Sequence, residues 1–238
     1  MSDKQVVHRR SALFDLLLII TVLIGIKSVL LRFDSVWTYA GPISLLSGLA
    51  LAFVLLWRRQ ESLSAVGIRR PKSIRWLTLW TVIALVVTIV AGGVAESAAV
   101  AYFGGPSEEM LAIDARYQGR FDNVPGSLPA YLFWIATAWI VGGFTEELLF
   151  RGVLILRMEQ LLRGVPLAPV FAIAFQAFIF GQQHAYYQGV AGWVATSAIA
   201  AVSGLFYLGL KRNLWPLILS HGLSNTIGLT LIYLGLMS

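Results

Sequence analysis

Hydrophobic residues run along this chain in long blocks that short clusters of charged residues separate. Seven blocks are close to or above about 18 residues, the length that predicts a membrane-spanning helix. They cover roughly residues 11–31, 36–57, 76–101, 130–156, 167–190, 192–210 and 214–237. The boundary between the fifth and sixth blocks is the weakest, because residues 182–192 are only mildly polar. The pattern predicts an all-α polytopic membrane helix bundle of about seven helices, or eight if another lies in the fourth block or in residues 102–128.

Composition supports this interpretation and excludes several others. Hydrophobic residues make up 58% of the chain and charged residues only 13%, about half the charge of a soluble domain. An ordinary soluble globule, a disordered chain and a coiled coil are therefore excluded. The chain has no cysteine, so a disulfide, a thiolate zinc site and a cysteine nucleophile are excluded as well. We expect one integral membrane domain over residues 1–238, with three N-terminal spans in 11–101, an outside loop at 102–128 and a C-terminal core at 130–237.

The positions of lysine and arginine predict the orientation. With the N-terminus inside, three of these residues fall in outside segments: Arg32, Arg116 and Arg120. Thirteen fall in inside segments: Lys4, Arg9, Arg10, Arg58, Arg59, Arg69, Arg70, Lys72, Arg75, Arg157, Arg163, Lys211 and Arg212. This asymmetry follows the positive-inside rule and predicts a cytoplasmic N-terminus. The net charge of +6 then reflects topology, and no nucleic-acid partner is expected.

Two segments allow alternative interpretations. Basic residues precede the first block, as they precede the apolar region of a signal peptide. Residues 31–34 form a poor cleavage site, however, so we interpret the block as an uncleaved anchor. The sequence at 106–109, Pro-Ser-Glu-Glu, resembles a helix N-terminus with Ser107 as the cap. The outside loop is therefore either a solvated connector or a short surface helix or lid.

Ionisable residues inside the apolar blocks are the candidates for function, because burying them in a bilayer is costly. On a helix, Glu147 and Arg151 share a face and can form an ion pair. Glu146 points about 100° away from Glu147 and has no basic partner nearby, so its carboxylate is available for general acid–base chemistry. The alternative is that both glutamates are structural. We assign no role to the other intramembrane charges, Asp15, Lys27 and Glu96.

Three further polar residues lie in the same half of the chain. His184 lies in the fifth block, and His221 and Asn225 share a helix face in the seventh. Histidine can donate, accept or bind a metal, and asparagine can donate to a developing oxyanion. A single membrane histidine usually makes a helix–helix hydrogen bond, but this combination favours a site. Ser203 lies among small residues of the sixth block, where close helix packing explains it better than a serine-protease nucleophile.

These motifs together resemble the CPBP family, which comprises intramembrane proteases related to the type II CAAX prenyl endopeptidase and bacteriocin-processing and immunity proteins. The resemblance rests on Glu-Glu-x-x-x-Arg at 146–151, Phe-x-x-x-His at 180–184 and His-x-x-x-Asn at 221–225, and it covers about residues 130–230. It implies that Glu146 activates water with the help of His184, and that His221 and Asn225 stabilise the oxyanion. Glu147 and Arg151 match the supporting pair.

The resemblance implies hydrolysis of a membrane-associated peptide or protein substrate, which can be lipidated, at the membrane lipid bilayer of a bacterial or archaeal cell. No cofactor is required in this scheme. A zinc-dependent scheme would use Glu146, His184 and His221 as ligands; we favour the metal-free one, because Asn225 is a better oxyanion donor than a zinc ligand. Two other functions stay open: a non-catalytic immunity or chaperone-like membrane protein, and a proton-coupled transporter, which the lack of an inverted repeat disfavours.

Overall fold

The computed structural model describes residues 3–237, and all regular secondary structure within this range is helical. The all-α prediction is thus confirmed. The α-helices are α1 (Asp3–Leu30), α2 (Ala40–Arg58), α3 (Ile74–Phe103), α4 (Glu108–Gln118), α5 (Leu128–Thr137), α6 (Ile155–Leu161), α7 (Ala168–Gly209) and α8 (Trp215–Tyr233). A π-helix, Ala138–Leu154, joins α5 to α6, and two short 3₁₀ turns occupy Trp37–Tyr39 and Gly119–Phe121.

The helix ends follow local sequence signals. Ser73 and Ser107 cap α3 and α4, and the Ser107 hydroxyl accepts from the backbone N–H of Met110 at 3.2 Å. The predicted helix start in the outside loop is therefore confirmed, and α4 lies on the surface with no buried residue. Prolines stand in the first turn of α5, α7 and α8, where their missing N–H costs nothing.

Five helical stretches are long and apolar enough to cross a membrane, so this is an integral membrane protein. They are Arg9–Leu30, Trp37–Arg58, Ile74–Phe103, Leu128–Leu161 and Ala168–Gly209. The predicted seventh span is not among them because α8 carries polar residues, among them His221 and Asn225, that lower its mean hydropathy. The number of seven spans stays a prediction.

The predicted fifth and sixth spans form one 42-residue helix, α7, that folds back on itself. At Gly189 the backbone has φ 64° and ψ −160°, a conformation open essentially to glycine alone. The two legs of α7, residues 168–188 and 190–209, then run antiparallel: Gln176 Nε2 donates to the carbonyl of Ala200 at 2.8 Å. A β-carbon on Gly204 would lie 3.0 Å from Cγ2 of Ile173, closer than ordinary van der Waals contact. The two legs therefore pack closely at this glycine.

A large apolar core holds the bundle together. Buried apolar residues from α1, α2, the π-helix, both legs of α7 and α8 pack in one cluster, and a smaller cluster joins α5 to α8. The π-helix packs against α2, α7 and α8, while α3 covers α7 and α8 from one side. The π-helix is therefore surrounded by other helices, and every residue from Thr145 to Ile155 is buried.

Candidate active site

The two adjacent glutamates lie in the π-helix, at the centre of the continuous helical stretch Leu128–Leu161. The wider winding is visible at Thr145, whose hydroxyl donates to the carbonyl of Ile140, five residues earlier, at 2.8 Å. Glu146 and Glu147 are only 9% and 2% exposed. Buried carboxylates need partners, and π-helical segments frequently occur at functional sites. The glutamates are therefore positioned by an unusual backbone geometry in a segment that other helices surround.

Glu147 is held from two sides. Its Oε2 lies 3.3 Å from Nε of Arg151, so the predicted ion pair is present. Its Oε1 lies 3.0 Å from Nδ1 of His221 on α8. Because a carboxylate oxygen accepts, Nδ1 of His221 is the donor in this contact. Glu147 therefore fixes the orientation of the His221 ring, a contact that the sequence did not predict.

Arg151 is buried on the side of Glu147 away from His221. Its guanidinium carbon lies 4.5 Å from the centre of the Phe180 ring, and its side chain is 1% exposed. Phe180 also packs edge-on against Phe150, with ring centres 4.9 Å apart. The apolar and cation–π contacts keep Arg151 beside Glu147 and away from water.

Glu146 faces a cavity of about 350 Å³ together with the other predicted site residues, His184, His221 and Asn225. Its Oε2 lies 3.8 Å from Nε2 of His221, longer than a hydrogen bond. The structure thus brings all four predicted residues to one cavity, which falls in the size range of ligand pockets.

His184 reaches the cavity from the first leg of α7, close to the bend at Gly189. Its Nδ1 lies 2.9 Å from the carbonyl oxygen of Phe180, one helical turn earlier. A carbonyl can only accept, so Nδ1 donates there. The other ring nitrogen, Nε2, is therefore the one available to a substrate or a water molecule.

Asn225 lies against the π-helix at a glycine. A β-carbon on Gly142 would come within 2.6 Å of Asn225 Nδ2 and 3.5 Å of His221 Nε2. The missing side chain at Gly142 therefore lets the amide of Asn225 approach the helix that carries Glu146. Sequence reasoning did not single out Gly142, since a glycine in a membrane helix is common and carries no signal of its neighbour.

Lys27 is a buried charged residue of this cavity that the sequence analysis missed. It lies near the end of α1, is 4% exposed, and lines the same cavity as Glu146. Its Nζ donates to the carbonyl of Gln183 at 3.0 Å and lies 5.0 Å from the centre of the Tyr186 ring. Lys27 thus contacts residues on both sides of His184 in the sequence. Its intramembrane charge was the available signal.

The other intramembrane acids lie elsewhere. Asp15 accepts two hydrogen bonds from Arg59, both 2.6 Å, and lies 2.8 Å from Nε of Arg157. Glu96 is exposed and lines a second cavity of about 700 Å³ between α3, α4 and α7. Across residues 3–237 no three histidine, aspartate or glutamate side chains are placed to hold one metal ion, so Glu146, His184 and His221 do not form a preassembled ligand set.

The fold and the ionisable residues that line its cavity define a helical integral membrane protein with a candidate site inside the bundle. Comparison with known families then names the class: residues 128–227 match the family described as type II CAAX prenyl endopeptidase Rce1-like. The match covers this part of the chain, from the start of α5 into α8, and includes all three motifs. The family recognised from the three motifs is thus confirmed, and it implies a membrane protease. No curated protein and no solved structure gives a match.

Proposed function

We propose that this protein is an intramembrane endopeptidase that hydrolyses a peptide bond with water activated by Glu146. The observation that carries the proposal is that Glu146, His184, His221 and Asn225 line one cavity, within the segment that matches a protease family. Glu147 and Arg151 support the site from behind: the Glu147 carboxylate is held by Arg151 and in turn holds His221.

In the proposed reaction, the carboxylate of Glu146 takes a proton from water while the water oxygen adds to the scissile carbonyl carbon. Nε2 of His184 holds that water. The carbonyl oxygen becomes an oxyanion and accepts from the amide of Asn225. The Nε2 of His221 also donates when the ring carries both protons, since Nδ1 is engaged with Glu147. As the tetrahedral intermediate collapses, the C–N bond breaks and Glu146 gives its proton to the leaving amine. Each donor to the oxyanion contributes about 3 kcal/mol at comparable sites.

The test compares peptides released from membranes that contain the wild-type protein or the Glu146→Gln variant. Glutamine keeps the size of the side chain but cannot take up a proton, so we expect peptides that appear only with the wild type. Glu96→Gln is the matched control, because it makes the same change at an exposed glutamate in the second cavity, and it should cleave like the wild type.

The outcomes separate the competing functions. Unchanged cleavage in the Glu146→Gln variant would contradict the proposal. If that variant also keeps a protective phenotype against a bacteriocin, the non-catalytic immunity function is favoured. Adding a chelator to the same assay tests the metal-free scheme, in which we expect cleavage to persist at the wild-type rate.

A further inference from the structure

The two ends of the bundle differ in chemistry, and the difference bears on where the substrate comes from. One end carries the connections 59–73, 162–167 and 210–214, and it collects most of the arginines. There Arg157 pairs with Asp15 and with Glu61, at 2.8 and 2.5 Å. At the same end Arg212 makes two hydrogen bonds to Glu159, at 2.6 and 2.8 Å. We refer to this end as the basic end.

The cavity of Glu146 lies at the opposite end. The helices that line it contribute residues close to the ends that point away from the arginine-rich connections: Gly41 from the start of α2, Trp134 from α5 and Ile232 from the last turn of α8. His184 and Tyr187 come from just before the bend of α7. None of the cavity residues lies in the three connections of the basic end.

Aromatic and cationic residues of the segment after α3 form the rim of this cavity. Tyr117 stacks on Tyr187 with ring centres 3.6 Å apart, and the guanidinium of Arg120 lies 3.6 Å from the centre of the Tyr117 ring. Phe121 lines the cavity as well. A polypeptide that reaches Glu146 from this end passes these side chains, which suit an extended chain with an apolar face.

Charge decides which side of the membrane this end faces. Thirteen lysines and arginines lie in the segments of the basic end, against three in the segments that join the spans at the cavity end; Lys27 and Arg151 lie within spans and are not counted. Connections rich in lysine and arginine stay on the cytoplasmic side. We propose that the cavity opens on the extracytoplasmic face. The substrate is then a membrane-anchored polypeptide whose scissile bond is presented from outside the cell membrane, rather than a lipidated protein that approaches from the cytoplasm. That the polypeptide in the cavity is a substrate rests on the proposed protease function; the orientation of the cavity does not depend on it.

The absence of cysteine from the chain gives a direct test, since a single introduced cysteine is the only thiol. Gly105→Cys places one on the cavity side, where a β-carbon meets nothing within 4 Å. Ser62→Cys places one at an exposed position of the basic end. In intact cells, a membrane-impermeant maleimide should label Gly105→Cys, whereas Ser62→Cys should be labelled only after the cells are opened. Labelling of Ser62→Cys in intact cells would overturn the orientation.

A second arm tests whether the rim is the entrance. With Arg120→Cys, a bulky impermeant maleimide added outside the cells should abolish release of the peptides that depend on Glu146. The same reagent on Gly105→Cys, which lies outside the cavity lining, should leave release unchanged. Release that continues from fully labelled Arg120→Cys would overturn the entrance. The labelling pattern does not depend on cleavage, so a failed orientation and a failed protease function give different results.

Discussion

At the scale of single residues, the site depends on two neighbouring glutamates in different surroundings. Glu147 has two partners, Arg151 and His221, whereas Glu146 faces the cavity and lies 3.8 Å from His221 Nε2. The spacing of four residues predicted the Glu147–Arg151 pair, and the structure has it. The sequence offered Glu146 no basic partner on its own helix, and its contact with His221 comes from α8. The contact between Glu147 and His221 was not predictable, because it joins residues 74 positions apart and depends on how α8 packs against the π-helix.

Lys27 shows a different limit of sequence reasoning. Its charge inside an apolar block was visible, but only the packing of α1 places its ammonium at the carbonyl of Gln183. The family motifs gave no guidance, because they begin about a hundred residues further along the chain. A residue that joins a site from an unrelated helix is found only from the tertiary structure.

Gly142 gives a prediction at this scale. In Gly142→Ala, the new β-carbon would lie 2.6 Å from Asn225 Nδ2, so the amide must move away from the oxyanion position. We expect cleavage to fall about 100-fold, as for a misplacement of about 1 Å in an active site, with little change in the melting temperature, because an amide at the end of a side chain can shift. The assay is release of the peptides that depend on Glu146.

Gly93→Ala is the control for that variant. It adds the same methyl group to an exposed helical glycine of α3, where nothing lies within 4 Å, and it should keep wild-type cleavage. Equal activity in the two variants would show that the position of Asn225 does not matter for the reaction.

At the scale of helices, the sequence predicted where most begin and end but not two special geometries. The fourth hydrophobic block predicted a helix over about 130–156, and the structure has one over Leu128–Leu161. Its centre is π-helical, which hydrophobic periodicity did not indicate. The boundary between the fifth and sixth blocks was recognised as weak. There the backbone folds back at Gly189 while the residues on both sides stay helical, so no long polar loop marks the turn.

Gly189 gives a prediction at this scale. Its positive φ with ψ −160° is strained for any residue with a side chain, and a β-carbon would lie 3.1 Å from Met110 Cγ. Gly189→Ala should therefore destabilise the folded protein by about 1–3 kcal/mol and weaken cleavage, because His184 lies five residues before the bend. A thermal melt of the purified protein in detergent measures the first effect.

Gly209→Ala, at the C-terminal end of the same helix, is the matched control. Its β-carbon would meet nothing within 4 Å and its φ is not in the positive range, so its melting temperature should stay close to that of the wild type. If Gly189→Ala melts with the wild type as well, the bend does not require glycine.

At the scale of the whole molecule, the sequence predicted the class of fold and the family from hydropathy and three motifs. It did not predict the ion pairs and hydrogen bonds that link the helices at the basic end. There Arg157 joins α6 to Asp15 of α1 and to Glu61 in the connection after α2, and Gln160 Nε2 donates to Glu61 Oε1 at 3.1 Å. These contacts link segments that are far apart in sequence, so no local pattern indicates their pairing.

This network predicts how stability depends on pH. Burial alone would raise the pKa of Glu61, but its hydrogen bonds and ion pair with Arg157 outweigh that effect and hold the pKa below its ordinary value. A carboxyl group with a lowered pKa in the folded state stabilises the fold above its unfolded pKa of about 4.3, and this stabilisation is lost as the pH falls through the folded value.

Glu61→Gln should therefore melt a few degrees below the wild type at pH 7, since 1 kcal/mol corresponds to about 2–4 °C in a domain of this size. The gap should narrow as the pH is lowered below about 4, because a protonated glutamate and a glutamine carry the same charge. Melting curves of both proteins in one detergent between pH 7 and pH 3 measure the gap, and a gap that stays constant over that range would show that Glu61 does not stabilise the fold through its charge.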